Sequence, residues 1–294
     1  MTIRQEMLAA ASRGAARLAD LNAAAAFVRA QRRDDGGFGG RRGGSDLYYT
    51  LFALEALHAL RQPPPGEVAP YLGGFRGGES LDLVHLCSLI RCRVSAGPAI
   101  EGRERTAMLD RLSAFRSADG GFANAPGAAS GTAYGAFLTL GAYQDLADAP
   151  DHPNSLANAV NDLAVGDGAY ANAADLPVGS TPATAAASVA LRHLDRRTDA
   201  ATNAWLRQCQ TDDGGFSAIP QSPRGDLLST AVALHALGAS GERLEGSAAR
   251  AAERFVLACR GRDGGFGSSG DADDADIEYT FYALLALGHL SEAP

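Results

Sequence analysis

The chain has 294 residues, of which 46% are hydrophobic and 20% charged, and its formal net charge is −8. This balance is typical of a folded globular protein, and the acidic excess argues against general nucleic-acid binding, which needs a basic face. The sequence contains arginine but no lysine, which excludes Schiff-base catalysis and a Walker-type phosphate lysine.

Hydropathy and cysteine usage indicate a compartment. No apolar run approaches the roughly 20 residues that span a bilayer, so we expect no transmembrane segment. The first six residues lack the apolar core of a signal peptide, and the expected location is the cytoplasm. The four cysteines form no CxxC pair, and in a cytoplasmic chain they are expected to be reduced.

A four-residue phrase recurs after an expected N-terminal helical extension over residues 1–18. Asp-Gly-Gly-Phe occupies residues 35–38, 119–122, 213–216 and 263–266, with degraded copies at 72–75 and 167–170. Six copies give a period of about fifty residues, which indicates an array of identical supersecondary units. Within one domain over 1–294, the expected repeats cover about residues 20–62, 66–98, 103–147, 153–195, 197–240 and 245–291.

Each unit has the pattern of a helical hairpin with glycine at its turn. In the fifth unit, apolar residues recur at helical spacing over 198–209, and the Gly-Gly pair then ends that helix. The Phe is expected to be a buried plug. A second helix then begins at an Asp, which caps free N–H groups. The expected helix-start residues are Asp46, Asp82, Asp226 and Asp276.

The second helix of each unit is apolar nearly all round and is therefore expected to be buried. Six hairpins can close into a double ring with these helices inside, or form an open helical solenoid. Closure is favoured because an open array needs polar caps, and the sixth unit is as apolar as the middle ones. The predicted fold is all-α, an α/α toroid.

The repeat resembles that of one superfamily over nearly the whole chain. Residues 209–216, Cys-Gln-Thr-Asp-Asp-Gly-Gly-Phe, are followed by an Asp-led helix. They are similar to repeats of protein prenyltransferase β subunits and of class II terpene cyclases. The resemblance implies a polyisoprenoid in the apolar central cavity and a helical α-subunit-like partner. The chain looks closer to a β subunit, because the cyclases that it resembles normally carry a second helical domain.

The zinc site that this resemblance implies is incomplete. In prenyltransferases it takes an Asp and a Cys from one inner helix start and a His from the last. The corresponding positions here are Asp226, Leu228 and Tyr279. Leu cannot bind zinc, so zinc-dependent thiol prenylation is not expected. A relocated zinc site at Asp82 and His85 is an alternative, although a hydrogen-bonded core histidine explains His85 more simply.

The diphosphate pocket of the resembled family uses basic side chains just ahead of the zinc Asp. Arg224 precedes Asp226 by two residues and is a candidate for diphosphate binding, since arginine pairs well with such oxygens. Arg76 and residues 41–42 lie in equivalent loops. An ordinary surface arginine is the alternative.

The densest acidic run covers residues 271–278. Residues 271–274 have the sequence Asp-Ala-Asp-Asp, which is similar to the motif by which class II cyclases protonate an alkene. In those cyclases the motif stands at the start of the inner helix, and the residues at that position here are Asp276 and Glu278. Such a donor must be a carboxylic acid kept protonated by burial and neighbours. A solvated loop with Asp276 as a helix cap, or a magnesium site at Asp273 and Asp274, are the alternatives.

The sequence thus predicts an isoprenoid-handling toroid, with three functions left open: zinc-free prenyl transfer, acid-initiated cyclisation, or a non-catalytic binding module. The candidate residues for chemistry are Asp276, Glu278, Tyr279 and Asp226, and those for substrate contact are Arg224, Tyr48, Tyr49, Phe52, Tyr134 and Tyr282.

Overall fold

The computed structural model describes residues 1–97, 100–270 and 274–291, and these contain thirteen helices. One helix, α1 (Ile3–Ala15), precedes the repeats. The outer helices are α2 (Leu21–Ala30), α4 (Val68–Gly73), α6 (Gly102–Ser113), α8 (Pro153–Asn161), α10 (Ala200–Gln208) and α12 (Gly246–Ala258). The inner helices are α3 (Leu47–Ala59), α5 (Leu83–Ala96), α7 (Ala133–Asp145), α9 (Thr181–His193), α11 (Leu227–Ala239) and α13 (Ile277–Leu290).

The inner helices form a closed ring. Each packs against the next, and α13 packs against α3, so the last unit meets the first. The inner helices are buried nearly all round, whereas the outer helices bury one face only. The predicted α/α toroid is therefore confirmed. We call the N-terminal end of the inner helices the rim and the opposite end the floor.

The repeated phrase fixes where each inner helix starts. In the fifth unit, Phe216 is fully buried. Its amide donates to Thr230 Oγ1 at 2.8 Å, and its carbonyl accepts from the amide of Asp226 at 3.0 Å. The preceding Gly214 has φ +94°, and a Cβ there would lie 2.3 Å from the backbone oxygen of Ala251 in the next outer helix. The phrase thus joins neighbouring units as well as forming a turn.

The second unit departs from this pattern. Gly73 is the last residue of α4 rather than the turn residue, and Phe75 is only partly buried. In the intact copies the Asp carboxylate accepts from the second glycine, as Asp213 does from the amide of Gly215 at 3.0 Å. Leu72 has no such acceptor, so the degraded phrase at 72–75 does not form the repeat turn.

Helix α1 crosses the floor of the ring. The amide of Ile3 donates to Gln144 Oε1 of α7 at 2.8 Å, and Arg4 pairs with Glu55 of α3 at 2.9 Å. Glu6 pairs with Arg192 of α9. Against α13 the backbones nearly touch, since a Cβ on Gly14 would lie 1.8 Å from the carbonyl oxygen of Leu284. The N-terminal extension therefore closes one end of the ring.

Two further expectations concern membrane-spanning helices and the cysteines. In the described part of the chain, no helix combines the length and apolar character needed to cross a membrane. All four cysteines are buried and free.

Candidate active site

A central cavity of about 460 Å³ lies inside the ring, between the rim and α1. This size falls within the roughly 300–1,000 Å³ of small-molecule pockets, which are mostly apolar with a few polar groups. The cavity is lined by side chains from α1 and from all six inner helices or the loops beside them. These are Met7, Tyr48, Val84, Tyr134, Phe137, Asn172, Ser180, Pro182, Ala183, Ala185, Ala186, Val189, Leu228, Val232, His235, Tyr282 and Leu285.

Aromatic rings form part of the cavity wall. Tyr48, Tyr134 and Tyr282 line it directly. Phe52 packs behind them, with its ring centroid 4.9 Å from that of Tyr48 and 5.4 Å from that of Tyr282. Burial raises the pKa of Tyr134 to about 12 and also raises that of Tyr282 well above its ordinary value, so these phenols stay neutral. Tyr49 instead lies over Gly40 beside the rim.

Glu278 lies at the rim on the cavity side of α13. It is one turn above Tyr282 and two above Leu285, which share its helix face and line the cavity. Its Oε1 accepts a hydrogen bond from the hydroxyl of Tyr48 at 2.6 Å. Burial, with the charge of Asp276 adding to it, raises the pKa of Glu278 to about 7 despite this hydrogen bond. A substantial fraction of this carboxyl is therefore protonated at neutral pH.

Asp276 is the N-cap of α13 and is almost fully buried, at 4% exposure. Its Oδ1 accepts from the amide of Tyr279 at 3.0 Å, and Arg41 lies 3.7 Å from its Oδ2. Burial raises the pKa of Asp276, although the cap and Arg41 oppose this. Arg41 also lies 3.5 Å from Asp274, whose Oδ2 accepts from the hydroxyl of Ser268 at 2.6 Å. This cluster therefore bridges the first and last units.

The remaining predicted residues of the fifth and sixth units differ in their burial and in their contacts. Asp226 caps α11 by accepting from the amide of Ser229 at 2.7 Å, and burial raises its pKa. Tyr279 is half-buried at the rim, where burial, followed by the charges of Glu278 and Asp276, raises its pKa to about 12. Arg224 is exposed, and its charge adds to the hydrogen bonds that lower the pKa of Asp213 in the repeat turn against its burial.

His85 belongs to a second rim cluster and is not a core histidine. Its Nδ1 lies 2.7 Å from Asp82 Oδ1 and its Nε2 lies 3.1 Å from Asp46 Oδ2. The side chain is 37% exposed, because α5 starts at the rim. Burial lowers the pKa of His85, but the hydrogen bonds and charges of the two carboxylates outweigh this and raise it overall.

The zinc site of the resembled family does not fit these residues. Leu228 lines the cavity and carries no donor atom, and the raised pKa of Tyr279 disfavours a phenolate ligand. Among the described residues, no three His, Cys, Asp or Glu side chains are grouped so as to hold a metal ion. The magnesium alternative involves Asp273, which lies outside the described residues.

Several cavity residues carry no motif that sequence reasoning could use. His235 is the main example: it lines the cavity near the floor, is 5% exposed, and has its Nδ1 3.0 Å from His289 Nε2. The available signal was its spacing of seven from Leu228 on one inner helix, which places both on the same face. Asn172 and Ser180, also in the lining, belong to a loop and to a helix cap.

Comparisons with known proteins agree with this architecture. The sequence matches the prenyltransferase alpha-alpha toroid domain family over residues 4–87 and 183–293. A comparison with curated proteins gives no match. Candida albicans protein geranylgeranyltransferase-I complexed with GGPP is similar in structure, with 16% identity, coverage of 90% of this chain and 76% of that chain, and a TM-score of 0.54.

Two other solved structures match over nearly their whole length. One is a variant of the type II terpene cyclase MstE from Scytonema with its substrate, geranylgeranyl dihydroxybenzoate (13% identity, 97% of each chain, TM-score 0.60). The other is a glycosidase (15% identity, 96% of this chain and 97% of that chain, TM-score 0.62). At these identities the likeness shows the fold alone. The family match covers well over half of the sequence, and the chain therefore belongs to the prenyltransferase alpha-alpha toroid domain family.

Proposed function

We propose that this protein is a terpene-cyclase-like enzyme that protonates an isoprenoid alkene in its central cavity and directs its cyclisation. The observation that carries the proposal is the Tyr48–Glu278 pair at the rim of an aromatic cavity. Tyr48 holds Oε1 at 2.6 Å, and in the neutral acid the proton sits on Oε2. A carboxyl with a pKa of about 7 keeps this proton available near neutral pH, as general acid catalysis requires.

The cavity wall suits the cation that protonation creates. Proton transfer from Oε2 forms a C–H bond, consumes one π bond and leaves a carbocation. The faces of Tyr48, Tyr134 and Tyr282 can stabilise this cation through cation–π attraction, which strengthens where water is excluded. Because the phenols resist ionisation, they provide ring electron density without trapping the cation as phenolates.

Charge at the rim favours cyclisation over transfer from a diphosphate. Four of the six inner helices begin with an Asp, and the cationic Arg41 is already paired with Asp274 and Asp276. A diphosphate would meet like charges there. Length does not oppose a cyclase either, since the Scytonema terpene cyclase matches this chain over 97% of both. A partner α subunit remains a prediction.

The test compares substrates whose products differ in mass. Geranylgeranyl diphosphate, with and without zinc, is compared with geranylgeraniol and with geranylgeranyl dihydroxybenzoate. Cyclisation by proton gain and loss yields isomers of unchanged mass, whereas transfer releases diphosphate.

Glu278→Gln is expected to lower isomer formation by about 10²–10⁴-fold, the usual contribution of general acid catalysis. Glu242→Gln is the matched control, since Glu242 pairs with Arg207 on the exposed surface and should leave the rate unchanged. Diphosphate release without isomers would show that the allylic C–O bond breaks instead of an alkene being protonated, and would contradict the proposal. If the protein neither converts nor binds these substrates, the non-catalytic binding module is the hypothesis that remains.

A further inference from the structure

A pair of histidines connects the cavity floor with the outside of the ring. His235 of α11 lines the central cavity, and His289 of α13 lines a separate outer groove. This outer groove is formed by Arg17, Arg243, Leu244, Glu245, Gly246, Ala249, Arg250, Glu253, His289, Leu290 and Ser291. The two rings meet through His235 Nδ1 and His289 Nε2 at 3.0 Å. The pair therefore lies between two open spaces.

One nitrogen of this pair has no partner. His235 Nε2 is buried and makes no hydrogen bond within the described chain. A buried polar atom without a partner is unfavourable and calls for an explanation. With Nδ1 facing His289, Nε2 is the ring nitrogen without a partner, and it belongs to a side chain that lines the cavity. If Nδ1 carries the proton and donates it to His289, then Nε2 is a free lone pair.

We propose that His235 is the base that ends the cyclisation, and that His289 passes the proton to the outer groove. This inference rests on the proposed function. The lone pair of His235 Nε2 takes a proton from carbon next to the final cation, and the electrons of that C–H bond form the product alkene. The Nδ1 proton of His235 then moves to His289 Nε2. One proton enters from Glu278 and one leaves through His235, so no oxidant or reductant is needed.

The positions of acid and base suit a chain of isoprene units. Glu278 is the second residue of α13, whereas His235 is the ninth of α11, the neighbouring inner helix. Seven residues of helix rise correspond to about 10 Å between rim and floor. Among the residues that line the cavity, His235 provides the only imidazole. The proposed acid therefore lies at the rim and the proposed base near the floor.

The surroundings of His235 keep it unprotonated. Burial, followed by the charge of His289, lowers the pKa of His235 to about 3, with Arg192 and His193 of α9 adding to this and Glu6 of α1 opposing it. Burial also lowers the pKa of His289 to about 4. A weak base suffices here, because a carbocation is a far stronger acid than an imidazolium. Acid and base in one site with separated pKa values are the usual sign of such a division of roles.

The first experiment follows the products of variants. His235→Phe keeps a ring of similar size at the floor but removes the base. We expect substrate to be consumed still, with the normal alkene formed about 10²-fold more slowly and water-quenched alcohols or other alkenes in its place. In His235→Ala, added imidazole should restore the normal alkene. His58→Phe, which removes an exposed imidazole from α3, should leave products unchanged.

The second experiment does not depend on turnover. Nitrogen-15 NMR of the labelled imidazoles should show His235 neutral at pH 6, with its proton on Nδ1, and His289→Phe should shift that proton to Nε2. A charged His235, or a proton on Nε2 in the wild type, would overturn the inference. If the wild type is active and its His235→Phe variant yields the same alkene at the same rate, the inference about His235 is overturned and the proposed function stands. An inactive wild type would overturn the proposed function as well.

Discussion

At the scale of single residues, burial acts in opposite directions on Glu278 at the rim and on His235 in the cavity lining. It disfavours the charged form of any group, so it raises the pKa of a carboxyl and lowers that of an imidazole. Glu278 is thereby held near 7 and His235 near 3. Between these values both are neutral, which is the state that a proton donor and a proton acceptor require before reaction.

The raised pKa of Glu278 predicts a pH-dependent cost to folding. Its carboxyl binds its proton more tightly in the folded state (about 7) than at its ordinary value of 4.5. Stability from this group is therefore complete below about pH 4.5 and is lost as pH rises through 7, by about 3 kcal/mol in all. Glu278→Gln mimics the neutral acid, so its free energy of unfolding should exceed that of the wild type at pH 8.

Urea denaturation at several pH values measures this effect. The advantage of Glu278→Gln should disappear near pH 4.5, where the wild-type carboxyl is protonated too. Glu242→Gln, at an exposed ion pair, should show no such pH-dependent gain. A Glu278→Gln variant that is equally or less stable at pH 8 would contradict the raised pKa on which the proposed acid depends.

At the scale of the helix, the sequence predicted the register well because local rules decide it. Each intact phrase ends one helix, and Asp46, Asp82, Asp226 and Asp276 all cap inner helices as expected. The second unit differs because Leu72 lacks the acceptor that forms the turn. The third and fourth units use Thr132 and Ser180 as caps, residues with the same short acceptor.

What the sequence could not predict depends on contacts between distant segments. Nothing local indicates that α1 crosses the floor, or that its Met7 reaches the cavity. The contact of His235 with His289 joins residues 54 apart, and it follows from the packing of α11 on α13. The expected role of Arg224 rests on its place in the chain and stays a prediction.

The cap at Asp226 predicts which substitution α11 tolerates. Its carboxylate accepts from the amide of Ser229 at 2.7 Å. Asp226→Ala removes this acceptor and should lower the free energy of unfolding by about 1 kcal/mol, whereas Asp226→Asn should stay within a few tenths. Both are measured by urea denaturation at pH 7. Since Asp226 acts here as a cap, Asp226→Asn should also retain turnover. If turnover were lost while stability is retained, the result would instead support the predicted catalytic role of Asp226.

At the scale of the whole molecule, the candidate acid depends on closure of the ring. Tyr48 belongs to the first unit and Glu278 to the last, and their hydrogen bond joins residues 230 apart. Arg41 spans the same seam to Asp276. An open array of the same hairpins would separate these pairs, so the fold creates the proposed site only when its two ends meet.

The seam itself can be tested through glycine. Gly264 has φ +93°, and a Cβ there would lie 2.7 Å from the backbone carbon of Ala23 in α2 of the first unit. Gly43 has φ +91° with nothing within 4 Å. Gly43→Ala should therefore cost only the backbone strain, about 1–2 kcal/mol. Gly264→Ala should cost about 1–3 kcal/mol more, because the clash with the backbone is added.

A third glycine separates closure from packing in general. Gly214→Ala brings a Cβ within 2.3 Å of the backbone oxygen of Ala251, which is the same kind of clash between two units far from the seam. Urea denaturation should show a similar loss for Gly214→Ala and Gly264→Ala. Only Gly264→Ala should open the seam beside Glu278, reduce the burial of its carboxyl and so lower its pKa from about 7, as measured by carbon-13 NMR of that carboxyl. If both variants move that pKa equally, the environment of Glu278 is set by the ring as a whole and not by the seam.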